Sequence, residues 1–295
     1  MPYQGELAAL IAAALWSTTA ILFETTGKRI GAMNTNLLRL LLASLLLCLT
    51  FFLQTGTLYP VHASTDQHLW LGLSGIIGLA IGDAALFVCL VILGSRLATL
   101  LLSLAPVITT LFAWLFLGEK LNALALSGIV LTIAGIIWVV NESEHDPAHG
   151  SRLRGIVLGV IAALGQGFGV ILAKYGFRTE IGTLDATLLR MIPATLAMWL
   201  VMLLLRRISP MKRVLHDRKS IRFIIIASII GPFLGVWLAN AAVKYTEAGI
   251  ASTLLATVPI LVIPLVWILR GTRPTLRAVV GTCVAVAGVA LIFLR

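Results

Sequence analysis

The sequence has 295 residues, of which 59% are hydrophobic and 12% charged, with a formal net charge of +10. That apolar share exceeds what a soluble core can bury, so lipid must solvate most of the chain and a soluble fold is excluded. The cations sit mainly in short connections between apolar runs, where membrane orientation accounts for them; no nucleic-acid motif accompanies them, and no nucleic-acid partner is expected.

Ten apolar runs, at 5–26, 33–54, 69–92, 96–117, 122–140, 153–175, 184–205, 221–243, 248–269 and 275–294, are each near the length that crosses a bilayer core. They are numbered here as spans 1 to 10. Backbone groups in lipid must be satisfied within each run, which predicts helices, and the alternation of a barrel strand is absent. The expected class is an all-α integral membrane fold. The first residues, Met1 to Glu6, lack the basic region of a cleaved signal, so span 1 is expected to remain as a helix. Cys48, Cys89 and Cys283 fall inside spans with no paired spacing and read as small apolar residues, neither disulfides nor metal ligands.

The chain repeats itself. Pro106, Trp114, Gly118, Gly128 and Gly135 return 153 positions later as Pro259, Trp267, Gly271, Gly281 and Gly288. The same offset pairs Ile76–Gly78 with Ile229–Gly231 and Gly82 with Gly235. Near the start of each half the offset is slightly smaller: Leu37-Leu38-Arg39 matches Leu188-Leu189-Arg190, and Ile11-Ala12-Ala13 matches Ile161-Ala162-Ala163. The polar segment 141–152, with Pro and Gly, reads as a linker between five-helix repeats at 5–140 and 153–294. Five crossings is an odd number, so the halves must enter the membrane in opposite directions, the inverted repeat that recurs in transporters.

The Pro, Trp, Leu-Gly-Glu-Lys-Leu and paired-Gly pattern from Pro106 to Gly135, with Leu15-Trp16-Ser17 and the five-plus-five repeat, resembles the EamA-type drug/metabolite transporters. The second copy departs from it, since Gly118-Glu119-Lys120 becomes Gly271-Thr272-Arg273. The resemblance implies secondary transport of small metabolites, often export of amino acids or related solutes. It also implies a central cavity lined by spans 1–4 and 6–9, with spans 5 and 10 peripheral.

Ionisable groups inside apolar spans are costly and mark candidate sites. Asp83 lies deep in span 3 behind Gly75, Gly78 and Gly82; it could bind a proton or a cationic group, or pair with Arg39. Arg39 and Arg190 occupy equivalent places and could hold an anionic substrate group, snorkel, or pair with a carboxylate such as Glu24. Lys174 and Lys244 approach one membrane face and together favour carboxylates there, although each alone could snorkel. Trp16, Ser17, Thr18, Asn36 and Gln166 complete the candidate lining. Trp237, Asn240 and Lys244 share one helical face at spacings of three and four, a wall suited to an amino-acid-like solute or to plain helix packing. Neither a catalytic constellation nor a cofactor or metal site is expected: all five histidines, His62, His68, His145, His149 and His216, lie in connections.

Pro106 and Pro259 read as hinges or as static kinks. The Gly128/Gly135 and Gly281/Gly288 pairs mark close-packing faces of spans 5 and 10, used within the fold or across a homodimer. Fifteen of the Lys and Arg residues lie on the face of the odd-numbered connections and five on the face of the even ones and both ends. The positive-inside rule then puts the odd face in the cytoplasm of an inner-membrane protein and both termini outside, against the orientation usual in the resembled family. The expected function is a secondary exporter of amino acids or related carboxylate-bearing solutes by alternating access. A proton-coupled exporter of cationic drugs through Asp83 is the second reading, and a membrane-embedded enzyme or channel the third. No phosphate-binding loop suggests ATP hydrolysis.

Overall fold

Residues 3–118, 120–141, 149–206, 214, 216–245 and 248–293 are described by a computed structural model, and among them there is no strand. Gln4–Ile30, Ala32–Thr55, Ala123–Val140, His149–Gly176, Thr183–Leu204 and Leu276–Phe293 form spans 1, 2, 5, 6, 7 and 10. Span 3 runs through Thr65–Gly75, a π-helical turn at Ile76–Gly82, and α-helix from Asp83 onward. Span 8 repeats that design as Arg218–Ser228, a π-helical turn at Ile229–Gly235, and Val236–Tyr245.

Nine stretches of the described residues are long and apolar enough to cross a membrane, and one of them, Thr65–Leu117, holds two passages. As a single helix its 53 residues would reach about 80 Å, more than twice a hydrocarbon core. At Gly94 the backbone adopts φ 80° and ψ 167°, which side-chain-bearing residues resist, and the helix breaks there into spans 3 and 4. Ten transmembrane helices result, arranged as two inverted repeats of five.

Span 4 breaks again between Leu102 and Leu104, and span 9, built from Ala248–Leu255 and Val258–Arg270, breaks at the equivalent place. Sequence reading puts Pro106 and Pro259 inside continuous helices; each instead lies in the first turn of a new helical segment. A proline ring collides with the carbonyl four residues before it, and those positions, Leu102 and Leu255, are where the preceding segments end. In a first turn the missing N–H has no helical acceptor to lose. Gly118 and Gly271, at φ 68° and 70°, close spans 4 and 9 in the left-handed conformation.

The halves interlock. Span 1 packs against spans 8 and 9, while its equivalent, span 6, packs against spans 3 and 4. Equivalent residues also meet each other, as a two-fold relation requires. Ser44 and Thr195, 151 positions apart, share a hydrogen bond of 2.7 Å. Thr132 Oγ1 donates to the carbonyl of Ala285, 153 positions away, at 3.3 Å. On the odd face Arg29, at the end of span 1, makes a two-pronged contact of 2.9 and 3.0 Å with Asp217, the residue capping span 8.

Spans 5 and 10 meet glycine to glycine. A Cβ on Gly128 would strike the Gly288 carbonyl at 2.6 Å, and one on Gly135 would strike the backbone of Ala285 and Gly281 at 2.6 and 2.7 Å. The glycine faces are thus consumed within the chain. Backbone cannot yield as a flexible side chain can, so Gly135→Val should lose about 1–3 kcal/mol or more, seen as a lower melting temperature in detergent. At the Arg29–Asp217 pair, the guanidinium holds the Asp217 carboxyl well below the usual carboxylate range. A depressed folded value contributes stability above the unfolded one. The advantage of the wild type over Asp217→Asn, which keeps a capping oxygen, should therefore be present above about pH 4 and fade below it. Melting scans at neutral and acidic pH check this, and because the pair is exposed, added salt should shrink the difference.

Candidate functional site

Asp83 begins the α-helical part of span 3 immediately after the π-helical turn. Its two oxygens are both engaged. Arg39 Nη2 from span 2 donates to Oδ2, and Gln166 Nε2 from span 6 donates to Oδ1 at 2.7 Å. Side-chain exposures of 11% for Arg39 and 4% for Asp83 make this a buried ion pair. Asn36, fully buried one turn earlier, accepts from the same Nη2 at 3.1 Å. Phe23 and Phe87 flank the Arg39 guanidinium, with ring centroids 6.0 and 5.1 Å away.

Arg190 approaches from span 7. Its backbone carbonyl presses on Gly75, and its Nη2 lies 3.9 Å from where a Cβ on Gly78 would stand. It acts electrostatically on Asp83, yet its Nε is buried without a hydrogen-bond partner. Gly82 lets span 6 close in, since a Cβ there would lie 3.4 Å from the Gln166 nitrogen. Gly75 and the glycines of the π-helical turn after it thus bring two foreign helices to one carboxylate. Arginine stays protonated in proteins, so two guanidiniums share a single buried acid.

A cavity of about 300 Å³ opens beside Arg39, lined by spans 1, 2, 3, 4, 9 and 10. Trp16, Phe23 and Phe87 face it, and so do Pro106 and Pro259 with the helix breaks before them. Trp16 Nε1 also donates to the Gly231 carbonyl at 3.3 Å, inside the second π-helical turn. Toward the even face a second cavity, of about 430 Å³, shares Leu102 and Pro106 with the first and carries Gln166, Lys174 and Ser252.

Toward the odd face the arrangement differs. Glu24, fully buried near the end of span 1, accepts from Lys28 Nζ at 2.7 Å, from Arg270 Nη1 of span 9, and from the Ser95 backbone nitrogen at 2.7 Å. The break at Gly94 is what frees that Ser95 N–H and leaves Glu24 in contact range. This cluster borders a third cavity of about 360 Å³ that shares no lining residue with the central one. The central cavity thus shares lining residues with the even-face cavity and none with the odd-face one, which is bordered by an ion cluster joining both halves.

Several predicted residues lie elsewhere. Ser17 is buried and bonds the carbonyls of Ala13 and Val258 at 2.7 and 3.2 Å, stitching span 1 to the break in span 9. Thr18 turns back onto the Ala14 carbonyl of its own helix. Trp237 lines none of these cavities; it is 56% exposed and packs on Phe233. The π-helical turn before it adds a residue, which rotates the downstream face by about 100° from the regular-helix phase. The side chains of Asn240 and Lys244 lie outside the described residues. Sequence reasoning named Glu24 only as a partner for Arg39, which pairs with Asp83 instead; the pairing of Glu24 with Arg270, and the Phe23–Phe87 pair around Arg39, escaped it. Glu24 did carry a signal, being an acid within a span and 150 positions before Lys174, the offset of that part of the repeat.

The signature of the EamA-like transporter family matches residues 3–141 and 153–294, nearly the whole chain. The chain belongs to the EamA-like transporter family. It is also 28% identical over 219 residues to an uncharacterized transporter of Archaeoglobus fulgidus, covering 74% of this chain and 75% of that protein. A solved crystal structure of a protein matches with a TM-score of 0.68 at 17% identity, over 100% of this chain and 98% of the other, a likeness of fold. This EamA-like chain is therefore a multi-pass membrane transporter acting on a small molecule; family and relative point to transport and away from catalysis.

Breaking a buried ion pair strands its partner, so Asp83→Asn should cost about 3–5 kcal/mol of stability. Combining it with Arg39→Gln should recover part of that loss, measured by unfolding in detergent.

Proposed function

We propose that this transporter is a secondary active carrier of small carboxylate-bearing solutes, working by alternating access between its two inverted halves, at 5–140 and 153–294 with the linker 141–152. The observation that carries the reading is the charge balance of the buried cluster: Arg39 and Arg190 against Asp83 alone, with Arg190 Nε lacking a partner. A buried cation without a counter-charge is costly in a membrane, and a substrate carboxylate would supply the missing anion. The cation-drug reading through Asp83 fits less well, because both oxygens of Asp83 are occupied. Proton coupling at Asp83 would have to act through its contact with Arg39.

The lining shared with the even-face cavity, and the ion cluster on the odd face, support one end-state of such a cycle, with Pro106 and Pro259 as hinges beside the cavity. The positive-inside bias supports an inner-membrane protein with its odd face cytoplasmic and both termini outside, so this end-state would open outward. Export as the net direction rests on the family. A homodimer would have to use the outer faces of spans 5 and 10, where Val130 and Ile137 are exposed, because the glycine faces are taken.

Counterflow into vesicles is the test. Vesicles holding the purified protein and preloaded with a carboxylate solute should exchange it saturably for labelled solute outside; steady conductance without exchange would refute the carrier reading. Arg190→Gln should lower kcat/KM for exchange by about tenfold or more, while its melting temperature holds or rises as an unmatched buried cation is removed.

A further inference from the structure

We infer that the central cavity is built for an apolar monocarboxylate, an acid with a hydrophobic body and no cationic group, and not for a zwitterionic amino acid. This deepens the carboxylate reading above and depends on it.

The inference comes from what the cavity offers each end of a ligand. One end meets charge. Arg39 lines the cavity; its Nη2 is committed to Asp83 and Asn36, its Nε is buried out of reach, and among the described residues no hydrogen bond occupies Nη1, which is left for a ligand. The flanking rings of Phe23 and Phe87 hold the guanidinium plane in place. A carboxylate is the group that such a fork recognises.

The other end meets hydrocarbon. Trp16, Leu86, Leu90 and Leu102, with the apolar residues of spans 9 and 10, form most of the remaining wall. Thr19, Thr99 and Ser103 also line it, but each turns its hydroxyl proton onto a carbonyl of its own helix, at 2.9, 2.8 and 3.4 Å. Among the described residues no carboxylate lines the cavity. Asp83 stands behind Arg39 with both oxygens engaged, and Glu24 is held in the odd-face cluster. An ammonium beside the substrate carboxylate would therefore be desolvated with no counter-charge, which an apolar interior penalises heavily. An acid of the same shape carries no such penalty. The volume, about 300 Å³, equals about ten waters and lies at the small end of ligand pockets, which suits a single ring or short branched chain.

Three probes sharing one phenyl body separate the alternatives: hydrocinnamate, L-phenylalanine and phenethylammonium. Binding to the purified full-length protein is measured at neutral pH by thermal shift and by competition in vesicle counterflow. Hydrocinnamate should bind about tenfold or more tightly than L-phenylalanine, and phenethylammonium should bind most weakly. Equal or tighter binding of L-phenylalanine, with exchange intact, overturns this inference and leaves the carboxylate reading standing. Tightest binding of phenethylammonium, or no binding of either carboxylate, overturns both. Thr99→Asp adds the missing anion to the wall. In a variant that still folds by its melting transition, the preference should shift toward L-phenylalanine by about tenfold. An unmoved ratio counts against the inference.

Discussion

A carboxylate buried in a bilayer must find its partners inside the protein, and the way Asp83 finds them governs how the two halves can meet. One partner, Arg39, comes from its own half; the other, Gln166, crosses from the second half, and Arg190 adds charge from there. Reaching a single acid from three helices requires unusually close backbones. Gly75, Gly78 and Gly82 supply that closeness, and the π-helical turn that follows Gly75 sets the direction in which Asp83 leaves the helix. Outside lipid such a cluster could borrow water. Here it is a fixed joint, and it ties span 6 of the second half onto span 3 of the first.

The duplication is exact in backbone and broken in charge. Breaks before Pro106 and Pro259, π-helical turns at equivalent places, and residues that touch their own counterparts all obey the two-fold relation. Side chains do not. Asp83 corresponds to Val236, and Glu24 corresponds to Lys174. The fold can therefore present similar backbones to both sides of the membrane while lining each side with different chemistry, an acid clamped by cations on the odd face and a lysine on the even face.

Much of this was legible in the residues alone. The offset of 153 disclosed the repeat, span lengths disclosed the helices, and intramembrane charge pointed to Asp83, Arg39 and Arg190. What was not legible depends on phase and distance. Trp237 was read as cavity wall or plain packing from its spacing to Asn240 and Lys244, and spacing within one helix does not say which way the shared face turns after the π-helical turn at Ile229–Gly235. The prolines marked spans 4 and 9 correctly, yet composition cannot tell a kink in a helix from the first turn of a new one. Ser17 and Asn36 were chosen as polar lining and instead hold backbone and guanidinium in place. The break at Gly94 was legible as the gap between the runs 69–92 and 96–117, but its positive-φ backbone was not.

The surplus guanidinium of the buried cluster has an electrical side. A charge that moves through the membrane field exchanges about 2.3 kcal/mol per 100 mV for each elementary unit carried across it. With the cavity empty, Arg39, Arg190 and Asp83 amount to one excess positive charge held among the spans. On the carboxylate reading proposed above, a bound monoanion would cancel it. The loaded protein would then change state without carrying net charge across the field, whereas the empty protein would carry its excess charge through whatever fraction of the potential the proposed rocking motion spans. Membrane voltage would accordingly act on the return stroke and leave the working stroke untouched.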